Sequence, residues 1–400
     1  MKFQRVHSIQ LMIGIGLALT ILCRSASHAL ADRPGYRLPW LYDTSWRITQ
    51  GPGGSTSHNA QPLLYAWDFG LNNGTEVRAS RAGTVQFVRG DVTQCYYQRN
   101  MPVNYVTIYH DDGTATIYYH LSSVVVSVGN RVYQGALVGY SGNTGYTNCE
   151  YHLHFQRPQQ GGPGITNSIA VTFDESLPPF SQAFNENNLV TSRNYDRAVL
   201  YEHINYGGWY LIFPWVDRDL RNDRNDFLSY GEWNDDASSI YVPEGLRVTL
   251  YSDIDYTGRA ESFSERDPWL GDNYIGNDSV SSLSYEGIFL YQHVSYQGKS
   301  EFFTGNDPNF LDNYIGNDQA SSICVSPYWA AQLFEHIDYG GDRILAAGCD
   351  ADLRDNPLND PNLPPELRNW NDQASSIAVY PPGPLTSQLL ESLKRNGLSR

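Results

Sequence analysis

Apolar and polar positions alternate through His152-Leu153-His154-Phe155, the period of a strand with one buried face. The two imidazoles then share a face and Leu153 takes the other, so a polar site is expected on the surface opposite a core. A strand is also predicted over Ile169–Phe173, and the turn-rich stretch after it, with Pro178-Pro179 and Asn185-Glu186-Asn187-Asn188, reads as a linker. Beyond the linker an aromatic-x4-Tyr-x-Gly unit recurs at Tyr201/Tyr206/Gly208, Tyr251/Tyr256/Gly258, Tyr291/Tyr296/Gly298 and Phe334/Tyr339/Gly341. Four copies in register mark the second half as a repeat array. Leu385, Leu389, Leu390 and Leu393, after Pro381-Pro382-Gly383-Pro384, have the spacing of a short amphipathic helix.

Lys2, Arg5 and His7 precede an apolar run from Leu11 to Leu22, and Ala29-Leu30-Ala31 offers small residues at a cleavage point before Asp32. This is the pattern of a secretory signal peptide, with a run too short to span a membrane. Leu22 before Cys23 lacks the small residue that lipoprotein processing needs. A secreted protein with no membrane span is expected, extracellular or periplasmic. Four cysteines then remain, Cys95, Cys149, Cys324 and Cys349, an even number suited to disulfides in an oxidising compartment. Three connectivities are open, and separation into two regions favours pairing Cys95 with Cys149 and Cys324 with Cys349. On a strand, Cys149 would point away from the face shared by His152 and His154.

The formal charge of −16 excludes nucleic acid as a partner, because phosphate neutralisation needs clustered Lys and Arg. It invites a cation instead. With 18% charged and 13% aromatic residues, the chain has the makings of cores rather than of a disordered acidic tail.

Around the His-Leu-His run stand Asp68-Phe69-Gly70, Gly74-Thr75-Glu76-Val77, Ala82-Gly83-Thr84-Val85, Tyr119-His120-Leu121 and glycines at 129, 135, 139, 142 and 145. In this order the segment from about 50 to 175 resembles the lysostaphin-like and LytM-like zinc endopeptidases, which cut peptide cross-links in bacterial cell walls. The resemblance implies that His58, Asp68 and His154 hold zinc and that His120 and His152 carry protons as general acid and base. Two neutral imidazoles and one carboxylate leave the fourth tetrahedral position open, as catalytic zinc sites do. One departure stands out: the family has three residues between its first His and the Asp, whereas nine lie between His58 and Asp68, with Leu64 at the family's position. The loop Gly51-Pro52-Gly53-Gly54-Ser55 could bring His58 round; were it only a loop histidine, a degenerate binding module would remain. His110, before Asp111-Asp112-Gly113, reads as a strand-end histidine rather than a ligand.

Each aromatic unit is followed by a second signature: Asn234-Asp235-Asp236-Ala237-Ser238-Ser239, Asn277-Asp278-Ser279-Val280-Ser281-Ser282, Asn317-Asp318-Gln319-Ala320-Ser321-Ser322 and Asn371-Asp372-Gln373-Ala374-Ser375-Ser376. These motifs resemble the βγ-crystallin superfamily, whose microbial members carry such a calcium signature. The implied calcium ligands are Asn234, Asp235, Asp236, Ser238, Asn277, Asp278, Ser281, Asn317, Asp318, Ser321, Asn371, Asp372 and Ser375, side-chain oxygens of the kind a hard cation takes. The alternative is turn chemistry, Asn-Asp and Ser-Ser satisfying their own backbone.

An all-β protein is therefore expected: a signal peptide (1–31), a lysostaphin-like peptidase β-sheet domain (32–175), a linker (176–197), two βγ-crystallin-like Greek-key sandwiches (198–286 and 287–381) and a tail (382–400). The expected activity is that of a secreted zinc endopeptidase with peptidoglycan peptides as substrate and calcium ions on the repeats. The competing function is a non-catalytic calcium-binding surface protein.

Overall fold

The computed structural model describes residues 35–178, 180–213, 216–222, 233–313, 315–357 and 369–395; the expected signal peptide lies outside the described residues. Among the described residues the chain is β with several single 3-10 turns and one helix, Pro384–Arg395, where the leucine spacing predicts it. No helix among the described residues is long and apolar enough to cross a membrane.

Strands of the first half are β1 (Ser45–Gln50), β2 (Trp67–Phe69), β3 (Glu76–Arg78), β4 (Gly83–Arg89), β5 (Cys95–Tyr96), β6 (Tyr105–Tyr109) and β7 (Ala115–Tyr119). They continue with β8 (Leu121–Val124), β9 (Arg131–Val132), β10 (Leu137–Ser141), β11 (Gly145–Tyr146), β12 (Leu153–Pro158), β13 (Ser168–Ile169) and β14 (Leu189–Thr191). A large antiparallel sheet runs β14-β1-β2-β12-β7-β6-β4-β9, with β13 beside β12, and a small sheet runs β3-β10-β8. Leu153 and Phe155 of β12 are fully buried, packed with Phe69, Val85, Ile108 and, from the small sheet, Val77, Val138 and Leu121. The alternation at 152–155 thus sends its apolar members into this core and leaves the other face of the large sheet for polar side chains.

Two expectations change here. Of Ile169–Phe173 only Ile169 lies in a strand, while Phe173 makes a single bridge to Tyr36 before a 3-10 turn at Asp174–Ser176. Val171 and Phe173 are buried as their alternation requires; a period of two reports burial, not whether a neighbouring strand is there to pair. Within the span read as a linker, β14 joins the edge of the large sheet on β1, and the Arg193 amide donates to fully buried Glu175 just before it, which also accepts the Leu38 amide.

Beyond residue 198 the described residues form four antiparallel sheets, centred on Val199–His203, Val248–Asp253, Ile288–His293 and Ala330–His336; three are three-stranded, and the third in sequence gains a fourth strand where Cys349–Asp350 pairs with Ser322–Val325. Neighbouring repeats exchange a short segment: Asp217 bridges Leu283, and Asp267 bridges Ile240. The aromatic-Tyr-Gly signature is a folded hairpin, since Tyr206, Tyr256, Tyr296 and Tyr339 and the glycines two residues on all have left-handed backbones, a conformation glycine adopts without cost. The last serine of each signature closes it. Ser239, Ser282, Ser322 and Ser376 accept the amides of those four tyrosines and donate to the carbonyls of His203, Asp253, His293 and His336.

Disulfides join Cys95 to Cys149 and Cys324 to Cys349. Cys149 sits in a left-handed turn rather than on a strand, so the strand-parity reading of its direction does not apply. The first half is tied to the first two repeats by polar contacts: Arg81 to Glu244 at 2.9 Å, Arg266 to Asp174 at 2.8 Å, and the Tyr241 hydroxyl donating to Gln134 at 2.6 Å.

Candidate metal centre

Strand register places the site. Asp68 on β2 lies opposite His154 on β12, and His154 lies opposite Tyr119 on β7; directly opposed residues share a sheet face. His58 arrives from the loop between β1 and β2, fully buried despite its distance in sequence from Asp68. His58, Asp68 and His154 bring a ligand atom each to within 4.8 Å of one another, the one such group of three among the described residues.

Hydrogen-bond partners define what each ring can present. His154 stands between two acceptors, with Nδ1 2.8 Å from Asp68 Oδ1 and Nε2 3.2 Å from Gln156 Oε1. Gln156 must turn its oxygen to the ring, because its amide nitrogen donates to the Thr166 carbonyl. His58 is in the same position: Nδ1 faces the Gly51 carbonyl at 3.3 Å, and Nε2 lies 3.3 Å from Asp68 Oδ2 but without hydrogen-bond alignment. A ring between two acceptors is satisfied either by a second proton or by a cation taking that proton's place. One divalent ion held by His58, His154 and Asp68 would replace both. Two imidazoles and a carboxylate also match zinc's preferences, so the residues fit the expected metal. Burial works to raise the Asp68 carboxyl, but the His154 and His58 rings outweigh it and hold the group well below the usual carboxylate range.

His120 and His152 complete the constellation. His120 follows Tyr119 directly, and in a regular strand it would face away from the site. Its left-handed backbone, φ 67°, breaks the alternation. Its ring lies 4.7 Å from that of His152 and 6.0 Å from that of His154, centroid to centroid. The Thr144 carbonyl accepts His120 Nδ1–H at 2.7 Å, and the Glu150 carbonyl faces His152 Nδ1 at 3.3 Å, which leaves Nε2 of each ring as the basic nitrogen. Burial lowers both below the ordinary histidine range; His152 and His154 add to this for His120, whereas Asp68 opposes it for His152. His110 is elsewhere, just past β6, donating Nδ1–H to the Ala82 carbonyl at 2.7 Å.

Sequence reasoning missed Gln156, Gln50 and Tyr119. Gln156 is two positions past His154 on one strand and could have been found by the same parity; Gln50 and Tyr119 reach the site through register alone.

In the repeats the first serine of each pair meets the aspartate of the neighbouring signature. Ser238 Oγ is 3.1 Å from Asp278 Oδ1, Ser281 3.3 Å from Asp235, Ser321 3.0 Å from Asp372 and Ser375 2.9 Å from Asp318. All four aspartates have left-handed backbones. Asn234, Asn317 and Asn371 donate to the aspartate that follows each. Asp236 has no counterpart in the other copies; burial, Glu202 and Asp278 raise its carboxyl.

Residues 63–164 match the model of peptidase family M23, so the chain carries an M23 peptidase domain. The match begins after His58. Among similar curated proteins, the glycyl-glycine endopeptidase ALE-1 of Staphylococcus capitis is 33% identical over 133 residues, 32% of this chain and 33% of the relative. The peptidoglycan DD-endopeptidase ShyA of Vibrio cholerae is 30% identical over 141 residues, 34% and 30% of the two chains. Lysostaphin of Staphylococcus simulans is 35% identical over 119 residues, 30% and 21%. The chain thus spans a third or less of the length of these relatives. Residues 200–263 match the model of peptidase inhibitor family I36. Solved structures similar to the chain include a βγ-crystallin domain from Clostridium beijerinckii, 27% identical, covering 22% of this chain and 97% of that one at a TM-score of 0.20.

Proposed function

We propose that this protein is a secreted zinc endopeptidase acting on peptide bonds of peptidoglycan, with calcium bound in its repeats. The observation that carries the reading is the meeting of His58 and His154, each with a second acceptor behind it, on the Asp68 carboxylate. Zinc bound there would supply a Lewis acid that polarises a carbonyl oxygen and lowers the pKa of water. Around it the chain's own groups divide the remaining work. Gln156 and the Gly51 carbonyl orient the two ligand rings. His120 and His152 are neutral at pH 7, so either Nε2 can take a proton from the attacking water and return it to the departing amine as the C–N bond breaks. The ring that has taken the water's proton then carries an Nε2–H that can donate to the developing oxyanion before the proton passes to the amine. Similarity to two endopeptidases, ALE-1 and the peptidoglycan DD-endopeptidase ShyA, supports peptidoglycan peptides as the substrate class.

Calcium rests on oxygen crowding. Ser321 Oγ lies 2.7 Å from the Gln292 carbonyl and 3.0 Å from Asp372, and Ser375 Oγ 2.7 Å from the Glu335 carbonyl and 2.9 Å from Asp318. One hydroxyl proton serves one acceptor at a time, so each serine keeps an oxygen–oxygen contact that a hard cation would relieve. Asn277 and Asn317 add buried carbonyl oxygens with no hydrogen-bond partner.

Incubating the zinc-loaded protein with purified peptidoglycan should release new amino termini and no new reducing sugar ends, and mass spectrometry of the products names the bond. Glycan cleavage refutes the mechanism. A zinc-bound protein that releases no termini from peptidoglycan or a general protein substrate is a binding module instead.

A further inference from the structure

We infer that Gln50 is the positioning residue that makes a metal ligand of His58, an inference that rests on the zinc reading above. The problem it solves is that His58 follows the glycine-rich stretch Gly51-Pro52-Gly53-Gly54-Ser55, with nine residues between it and Asp68, a loop with no reason of its own to hold one shape. Gln50 ends β1, and a bulge between Ile48 and Gln50 sets it opposite Asp68. Ile48 pairs with Phe69, so without the extra residue Thr49 would oppose Asp68 and Gln50 would turn to the other face. Re-aimed, its side chain is buried, 6% exposed, and its amide group is used on both sides. Nε2 donates to Asp68 Oδ2 at 2.9 Å and to Ser57 Oγ at 2.8 Å. Oε1 accepts the Ser57 amide at 2.8 Å, the Thr56 amide at 3.0 Å and the His58 amide at 3.4 Å. One side chain therefore ties the carboxylate ligand directly to the backbone that carries the histidine ligand, and it fixes which Asp68 oxygen is already occupied by a donor. Gln50 touches neither the expected metal nor the substrate; it acts through Asp68 and His58.

Gln50→Met keeps the length of the side chain and removes its polar atoms. Zinc affinity, measured by competition with a chromophoric chelator, should fall roughly ten- to hundredfold, the usual effect of removing a group that orients metal ligands. Hydrogen exchange at the Thr56 and Ser57 amides in the metal-free protein should accelerate in the same variant, with the amides of β12 unaffected. Wild-type zinc binding with unchanged affinity in Gln50→Met overturns the inference and leaves the zinc reading standing. Faster loop exchange in a protein that binds no zinc in any form keeps the clamp and overturns the zinc reading. Should Gln50→Met fail to fold, the wild type decides: Thr56 and Ser57 amides that exchange as fast as an open loop in the metal-free protein mean there is no clamp.

Discussion

At the scale of single residues, the site works by departures from regular geometry and by what stands behind each ring. His154→Ala should lose stoichiometric zinc, whereas His152→Ala should keep the metal and lose turnover; metal analysis of both purified proteins checks this, and equal zinc loss in both would overturn the division of roles. His110 offers a separate test in acid. Burial pushes its imidazole down to about 4, against an ordinary value near 6.5, so the folded state resists a proton that the unfolded chain accepts. Above about pH 6.5 both states are neutral and His110 costs nothing. As pH falls from about 6.5 to about 4 the unfolded chain gains the proton first, and stability drops by up to about 3 kcal/mol before levelling off. His110→Gln should flatten that part of a denaturation-versus-pH series, and a series superimposable on wild type would remove His110 from the account.

At the scale of elements, register decides more than composition. The row Gln50, Asp68, His154, Tyr119, Tyr105 crosses β1, β2, β12, β7 and β6 through successive pairings, a set of neighbours no local pattern reveals. In the repeats the element that counts is a pair of signatures, since the first serine of each faces the aspartate of its paired copy. Calcium should therefore raise the melting temperature of the whole protein, and Asp318→Asn with Asp372→Asn should abolish the part owed to the second pair. Asn tolerates the left-handed turn, so the loss would report charge rather than backbone. For dissociation constants on the order of 0.1 to 1 mM, about 10 mM calcium stabilises by roughly 1.4 to 2.7 kcal/mol per site. Identical wild-type melting curves with and without calcium would return the signatures to turn chemistry.

At the scale of the molecule, the joint between the first half and the repeats is built from buried polar groups. Glu244 takes Arg81 through both carboxylate oxygens and also the Ala82 amide, while Arg81 keeps Asp112 on its other side. Glu244→Ala should cost about 2 to 3 kcal/mol, less than a fully buried pair because Glu244 retains some solvent. Scanning calorimetry should then separate one transition into two, and an unchanged single transition would mean the halves are coupled by other contacts.

Read alone, the amino-acid sequence determines the β class, the fourfold repeat, the shared face of His152 and His154, and the chemistry of the donor set, because each depends on spacing within a few residues. Gly208 and its counterparts demand the left-handed hairpin wherever they fall, and Leu153 is apolar because its face is buried. Only the tertiary structure decided that His58 reaches Asp68, that His120 turns back to the site, and that Leu189–Thr191 closes a sheet edge. The reason is physical: each of these depends on a bulge, a positive φ or a free sheet edge, conditions set by partners far away in sequence. Side-chain periodicity records which face is buried, but pairing partners are chosen by backbone groups that every residue carries alike.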